Sequence, residues 1–311
     1  MHSIIVPCYK SSQSIRKVVE MTEEELLRLG IVDYEFVLVN DCSPDEGKTW
    51  QAIKELTEEY TFVKGINLAK NAGQHNAQMA AFNYAEGDII IGMDDDLQTH
   101  PSQLHILLDE LNKGYDIVYG YYPEKKHGFI RNIISKLNNW SVRMLIGKPK
   151  WMKTSSYWVM RKFVRDSIIQ YKHSFTYMQG LFLRSTRNIS CVPIEHYDRE
   201  YGESGYTLKK LFGVWSSIIG FSIVPLRIVT IIGFLCAILG FLGAISVVIA
   251  KLMSPQMVVG WASLITAICF FSGMIILVTG LVGEYIGRLY LSINQEPQYV
   301  IREKIHCSEE K

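Results

Sequence analysis

The stretch "GMDDDLQTHP", Gly92 to Pro101, follows directly on the apolar run "DIIIGM", Asp88 to Met93. Three adjacent carboxylates, Asp94, Asp95 and Asp96, repel one another and resist burial, so their position needs an explanation. A solvated turn explains an arbitrary acidic triplet. A cation site at the carboxyl end of a buried strand explains one placed here. The flanking chain decides between them.

Outward from this stretch, strand and helix signals alternate. "SIIVPCY" (Ser3 to Tyr9), "YEFVLVND" (Tyr34 to Asp41), "FVKGINL" and "DIVYGYY" read as short apolar strands. Between them, "SIRKVVEMTEEELLRLG", "DEGKTWQAIKELTEEY", "GQHNAQMAAFNYAEG" and "PSQLHILLDELNKG" carry helical apolar spacing with glycine stops. Strands that are apolar almost throughout, alternating with helices, indicate a parallel sheet covered on both faces. Ligands of such sheets bind outside the carboxyl ends of the strands. Asn40 and Asp41, the turn "KNAG" from Lys70 to Gly73, and the acidic triplet all fall at or just beyond such ends. Asp41 alone reads more often as a helix cap; three polar clusters on one sheet edge point to a shared crevice. A dinucleotide-binding fold shares the alternation, but the first strand is followed by "PCYKSSQS", which lacks the glycine fingerprint.

At 311 residues the chain has room for one large domain or two smaller ones, and its formal net charge of +1 gives no reason to expect nucleic acid as a partner. The six cysteines, Cys8, Cys42, Cys191, Cys236, Cys269 and Cys307, form no C-x-x-C pair, which suits a reducing compartment. The segment "MHSIIVPCYK" reads as a strand and not as a signal peptide.

The C-terminal third differs in kind. Ile228 to Ala250 carries no charge, and a second uncharged run extends from Leu252 to Gly283, with the turn-like "MSPQM" at its start. Each is long enough to cross a bilayer, which needs about 20 apolar residues. Lys209, Lys210 and Arg227 precede this hairpin, Arg288, Arg302 and Lys304 follow it, and Lys251 alone lies in the connecting turn. The positive-inside tendency then places both ends in the cytosol.

The stretches "VPCYKSSQSI", "EFVLVNDCSPD", "LAKNAGQHNAQMAAF", "GDIIIGMDDDLQTHP", "YDREYGESGYTLKKL" and "GLVGEYIGRLYLSINQEPQYVIRE" together resemble the inverting family 2 glycosyltransferases of the GT-A fold. More narrowly they resemble polyprenyl-phosphate glycosyltransferases of the bactoprenol glucosyltransferase and dolichyl-phosphate mannose synthase kind. The resemblance covers nearly the whole chain. The expected fold is therefore α/β: a GT-A type nucleotide-sugar-binding domain with a mostly parallel sheet, followed by a two-helix transmembrane hairpin. The expected divisions are a cytosolic domain over 1–204, an interfacial amphipathic segment over 205–226, membrane helices over 227–251 and 257–283, and a cytosolic tail over 284–311. The expected location is the inner (plasma) membrane.

The resemblance also implies roles. Asp94 and Asp96 stand at the outer positions of the family's D-x-D motif, which binds Mg²⁺ or Mn²⁺ and through it the diphosphate of a UDP- or GDP-sugar. Asp95 fills the variable middle position, where strand alternation points it away, and Gln98 completes the pattern. Asp41 matches the aspartate that reads the base or ribose, and Pro7 and Tyr9 match residues lining the nucleoside pocket. Lys70, Asn71 and Gly73 match a turn that favours the anionic donor. His75 is assigned no part in proton transfer.

The implied acceptor is polyprenyl phosphate. Arg199 matches the arginine that meets its phosphate, with Ser204 and Tyr206 as polar neighbours. Independently of the family, the segment from Gly128 to Gly147 sets Ile130, Ile133, Ile134 and Trp140 against Arg131, Lys136 and Arg143, the composition of an interfacial helix or of a helix packed on the sheet. Lys209 and Lys210, just before the hairpin, suit lipid head groups. Relatives of this kind are often tetramers, so the resemblance makes a homotetramer possible, while the residues themselves do not show the oligomeric state.

One segment departs from the pattern. Ser156 and Trp158, in "SSYWVMRKFV", stand where many relatives have Asp and Arg, and that Asp is the proposed base. Two other functions stay in view. A processive polysaccharide synthase of the same fold would carry a Q-x-x-R-W motif, which the chain lacks. A non-catalytic lipid-binding subunit would have no use for Asp41, Asp94, Asp96 and Arg199 together.

Overall fold

The structure is a computed structural model. It describes residues 1–123, 146–173, 176–195, 228–235, 260–293 and 297–308, with isolated positions at 143, 197, 226, 238, 242, 245 and 249.

Eight strands form one sheet: β1 (His2–Cys8), β2 (Tyr34–Asn40), β3 (Val63–Leu68), β4 (Ile89–Gly92), β5 (Ile117–Tyr121), β6 (Trp158–Arg161), β7 (Ile189–Pro193) and β8 (Ile301–Ile305). Their spatial order is β7-β5-β6-β4-β1-β2-β3-β8. The pairs β1–β2, β1–β4, β2–β3 and β5–β7 are parallel, while β6 runs antiparallel between β4 and β5 and β8 antiparallel against β3. The mostly parallel α/β sheet expected from the alternation is present.

Helices cover both faces: α1 (Ile15–Arg28), α2 (Lys48–Glu59), α3 (Gln74–Tyr84), α4 (Leu104–Asn112), α5 (Lys162–Ile168) and α6 (Met178–Ser185). Successive side chains of a strand alternate between faces, and the two cores show it. Ile4, Val6, Phe36 and Leu38 pack with residues of α1, α2 and α4. Ile5, Val37 and Val39 pack with residues of α3, α5 and α6. Helix α3 is sandwiched so deeply that every residue from Ala77 to Tyr84 is buried. Its C-terminal carbonyls need donors, and the fully buried Arg165 supplies them, to Phe82 at 3.3 Å and to Ala85.

The departure noted at Trp158 has a packing reason. In the β4–β6 register Trp158 lies opposite Gly92, and a Cβ at Gly92 would overlap the indole ring. A bulky residue on β6 and a glycine beside the acidic triplet form one packing unit.

Helix α7 (Trp261–Ile293) extends over 33 residues. Leu264, Ile268, Phe271, Ile275 and Ile276 are exposed along it, an apolar surface that a soluble helix would bury. Among the described residues no helix is long and apolar enough to cross a membrane; several side chains of α7, Trp261 to Ser263 among them, are outside that description. The interfacial helix expected around 128–147 and the segment 205–226 fall almost wholly outside the described residues, as does about half of the first expected span. The C-terminal segment does more than trail from the domain. Its residues Ile301–Ile305 form β8, and Glu303 holds it in place by accepting from the Trp50 indole and the Lys54 ammonium, both at 2.9 Å.

Candidate active site

The polar clusters that follow β2, β3 and β4 do meet at one edge of the sheet. Asp41 stands immediately after β2 and is buried. Its two carboxylate oxygens accept the backbone N–H groups of Ala72 at 2.6 Å and Gly73 at 2.9 Å, and its carbonyl accepts from Asn71 Nδ2 at 3.1 Å. One aspartate thus binds the whole turn after β3 to the end of β2. Gly73 has φ +84°, a backbone setting that favours glycine. Burial raises the Asp41 pKa, and the two N–H donors pull it back. Lys70 is exposed at the start of this turn.

The turn leads into α3, whose first residue, Gln74, donates from Nε2 to Asp94 Oδ1 at 2.9 Å. The other oxygen of Asp94 accepts from the Ser156 hydroxyl. Desolvation, with the adjacent charges of Asp96 and Asp95, pushes the Asp94 pKa up to about 7. Asp96 accepts the backbone N–H of Gln98 at 3.1 Å, and between them Leu97 adopts φ +59° with its side chain buried in the core. A non-glycine residue in that conformation is uncommon, and the buried leucine side chain holds it there. The Tyr122 hydroxyl donates to the Gln98 carbonyl at 3.5 Å, and burial together with Asp94 and Asp96 keeps that phenol protonated.

Asp95 turns from its neighbours to the loop after β1. It accepts the Tyr9 backbone N–H at 2.9 Å and the Ser11 hydroxyl. Burial raises its pKa as well. The middle residue of the motif is therefore a tether for the first-strand loop and not a spacer. Pro7 is buried within β1 opposite Val39, whereas the Tyr9 ring is 46% exposed at the strand's end. His75, beside Gln74, meets the Tyr177 ring edge-on at 5.7 Å, and burial lowers its pKa to about 4, so the imidazole is neutral near pH 7.

The structure thus draws Tyr9, Asp41, Asn71, Gly73, Asp94, Asp96 and Gln98 to one edge. Arg131, Arg199, Ser204, Tyr206 and Lys209 lie outside the described residues. Gln74 and Tyr122 carry no sequence signal of their own, and Ser156 stands out only as a departure. Among the described residues no three His, Cys, Asp or Glu side chains converge to cage a metal ion. A divalent cation that also takes substrate phosphate needs only one or two carboxylates from the protein, and Asp94 and Asp96 are the pair that could supply them.

A mostly parallel sheet with an acidic loop after its fourth strand defines a GT-A-like transferase fold. The glycosyl transferase family 2 model matches residues 3–187, and the GtrB C-terminal hairpin model matches 224–289. The chain belongs to glycosyl transferase family 2 and is a glycosyltransferase. It is 30% identical over 304 residues to an undecaprenyl-phosphate 4-deoxy-4-formamido-L-arabinose transferase of Enterobacter sp. (strain 638), covering 96% of this chain and 92% of that protein. Among solved structures, glucosyl-3-phosphoglycerate synthase from Mycobacterium tuberculosis shares the fold with a TM-score of 0.50 and 17% identity, over 72% of this chain and 81% of that one.

Proposed function

We propose that the protein transfers one sugar from a nucleotide-sugar to a polyprenyl phosphate, with inversion, at the cytosolic face of the plasma membrane. The observation that carries this reading is the joining of three strand-end loops through Asp41, Gln74 and Asp94 into a single anionic edge. The curated relative named for undecaprenyl phosphate and the matching C-terminal hairpin support the lipid acceptor. The exposed apolar surface of α7 fits a bilayer-crossing role.

Asp94 and Asp96 would hold Mg²⁺ or Mn²⁺. Burial first, and then the neighbouring charges of Asp96 and Asp95, raise the Asp94 pKa, and a bound cation would offset both. Such an ion, when bound, neutralises negative charge on the departing nucleotide diphosphate. Gln74 and Ser156 fix the orientation of Asp94, and Asp96 is set by the Gln98 backbone. Lys70 and the N-terminus of α3 favour an anionic donor beside them.

In the reaction, an acceptor phosphate oxygen forms the new bond to the anomeric carbon while the bond from that carbon to the diphosphate oxygen breaks. Ser156 stands where relatives have a proposed base, and its hydroxyl is committed to Asp94. A base is not required. A phosphate monoester, whose second pKa is about 6, is largely ionised near pH 7. Positioning two anions against one carbon is then the main demand. The purified protein, incubated with Mn²⁺, a panel of labelled UDP- and GDP-sugars and a short polyprenyl phosphate, should yield a lipid-linked sugar. Sugar polymer, or no product from any donor, would refute the reading.

A further inference from the structure

The chain that follows α7 returns to the donor edge, and its contacts there are not those of a passive tail. Residues 297–300 and the start of β8 form a strap with two anchors. At the first, Gln298 is 9% exposed, and its Nε2 donates to the carbonyls of Tyr171 at 2.8 Å and His173 at 2.7 Å, with Thr176 Oγ1 at 3.4 Å. Thr176 is followed directly by Tyr177, whose ring meets His75 in the first turn of α3. At the second, Ala69 is held from both sides: its N–H donates to the Val300 carbonyl at 2.8 Å, and its carbonyl accepts from Arg302 Nη2 at 3.3 Å. Ala69 immediately precedes the Lys70–Gly73 turn. Between the anchors, Asn83 Nδ2 of α3 donates to the Tyr299 hydroxyl at 2.9 Å.

The β3–β8 register shifts between Asn67 and Leu68, one residue before Ala69. Beyond this irregularity the strap pairs with Ala69 through Val300. Arg302 is exposed, so its side chain fills no part of the core.

We propose that Gln298 and Arg302 are positioning residues of the donor site. They act through Thr176 and Tyr177, and through Ala69, to set where α3 and the Lys70–Gly73 turn stand opposite Asp94. This rests on the donor-site reading above. The strap also begins four residues beyond Ile293, the end of α7, so the element next to the membrane hairpin is tied to the nucleotide end of the site.

The test uses full-length protein in detergent, with UDP and GDP in the presence of Mn²⁺ as probes for calorimetry, alongside transfer kinetics. Arg302→Ala should weaken binding of the preferred nucleotide and raise donor KM about three- to tenfold, the range of one hydrogen bond. Gln298→Ala should do so by more than about tenfold, since three contacts go. Turnover at saturating donor and the thermal unfolding midpoint of Arg302→Ala should match the parent. Arg302→Lys, which keeps a donor for the Ala69 carbonyl, should recover most of the affinity. Parental affinity and KM in both alanine variants, or a loss confined to turnover, overturns the inference. Failure of the parental protein to bind either nucleotide refutes the donor site itself, and the inference with it. Binding without transfer to lipid refutes only the acceptor, and the strap is then judged on binding alone.

Discussion

The Ser156 hydroxyl donates to Asp94, across the sheet edge from Gln74, which donates to the other carboxylate oxygen. A serine on the segment entering β6 therefore orients the first acid of the D-x-D motif at a position where an acidic base was expected. Groups that orient a ligand carboxylate typically matter by roughly ten- to a hundredfold in metal affinity or activity. Ser156→Ala should weaken Mn²⁺-dependent nucleotide binding within that range. Ser156→Asp should be worse, because a fourth carboxylate joins Asp94, Asp95 and Asp96. Calorimetry at fixed Mn²⁺ checks both, and Ser156→Asp binding as the parent does would contradict the assignment.

The Asp94 pKa of about 7, raised from 3.8 chiefly by desolvation, fixes the sign of two pH dependences. Between those values the folded protein holds a proton that the unfolded chain has released. In the metal-free protein, the stability associated with Asp94 is thus present below the unfolded value and lost as pH rises through about 7. Metal binding needs the ionised form, so apparent Mn²⁺ affinity should rise toward pH 7 and level off above it. Asp94→Asn should abolish the first slope and most of the binding. Thermal melts from pH 5 to pH 8, in EDTA for the metal-free protein and in Mn²⁺ without EDTA for the loaded one, measure both slopes.

The three aspartates should divide by function. Asp96→Asn removes a carboxylate that would hold the ion and should cut turnover by at least about a hundredfold, since metal-ion charge stabilisation is worth several kcal/mol. Asp95→Asn loosens the tether to Tyr9 and Ser11, so donor KM should rise while turnover at saturating donor stays close to the parent. Steady-state kinetics of the two variants decide this, and identical kinetic defects would refute the division.

Much of this site is legible in the sequence, and the parts that are not share a physical reason. Asp41, Lys70–Gly73 and Asp94–Asp96 are readable because parallel strands buried on both faces are apolar throughout and end abruptly in polar residues. Gln74 is hidden because a first-turn glutamine is common on any helix. The strand β6 is four residues long and antiparallel, and its partners β4 and β5 lie far from it in sequence, so no local period announces it. The strand β8, "IREKI", shows charged residues at three of five positions and reads as tail, although exposed charges are what an edge strand needs. Asp95 misleads for a different reason. Alternation gives the direction of a side chain but not the partner waiting there.

The membrane arrangement has a direct chemical test. The proposed orientation, with both termini in the cytosol, would put the turn around Ser254 to Gln256 on the opposite side of the membrane. Ser254→Cys, in a background without the native cysteines, should react with an impermeant maleimide in intact cells, whereas Lys10→Cys should react only after lysis. Labelling of Lys10→Cys in intact cells with protection at Ser254→Cys would reverse the orientation.

The acceptor end poses an electrostatic problem that Asp94 and Asp96 cannot solve. A lipid phosphate carrying up to two negative charges must approach the donor diphosphate, and like charges at short range repel by several kcal/mol even at an effective dielectric of about 20. A cation held by Asp94 and Asp96 would serve the donor side, so the acceptor side needs cations of its own. Arg199 is proposed for that place on its motif, with Arg131 and Lys209 behind it on the two segments expected at the membrane surface. Arg199→Ala should abolish transfer to polyprenyl phosphate while leaving nucleotide affinity near the parental value. Arg199→Lys should recover little, because a point charge does not reproduce the paired hydrogen bonds of a guanidinium. Nucleotide binding by calorimetry and transfer rate, measured on the same preparations, separate the two ends of the site. Transfer at the parental rate by Arg199→Ala would move the acceptor phosphate elsewhere.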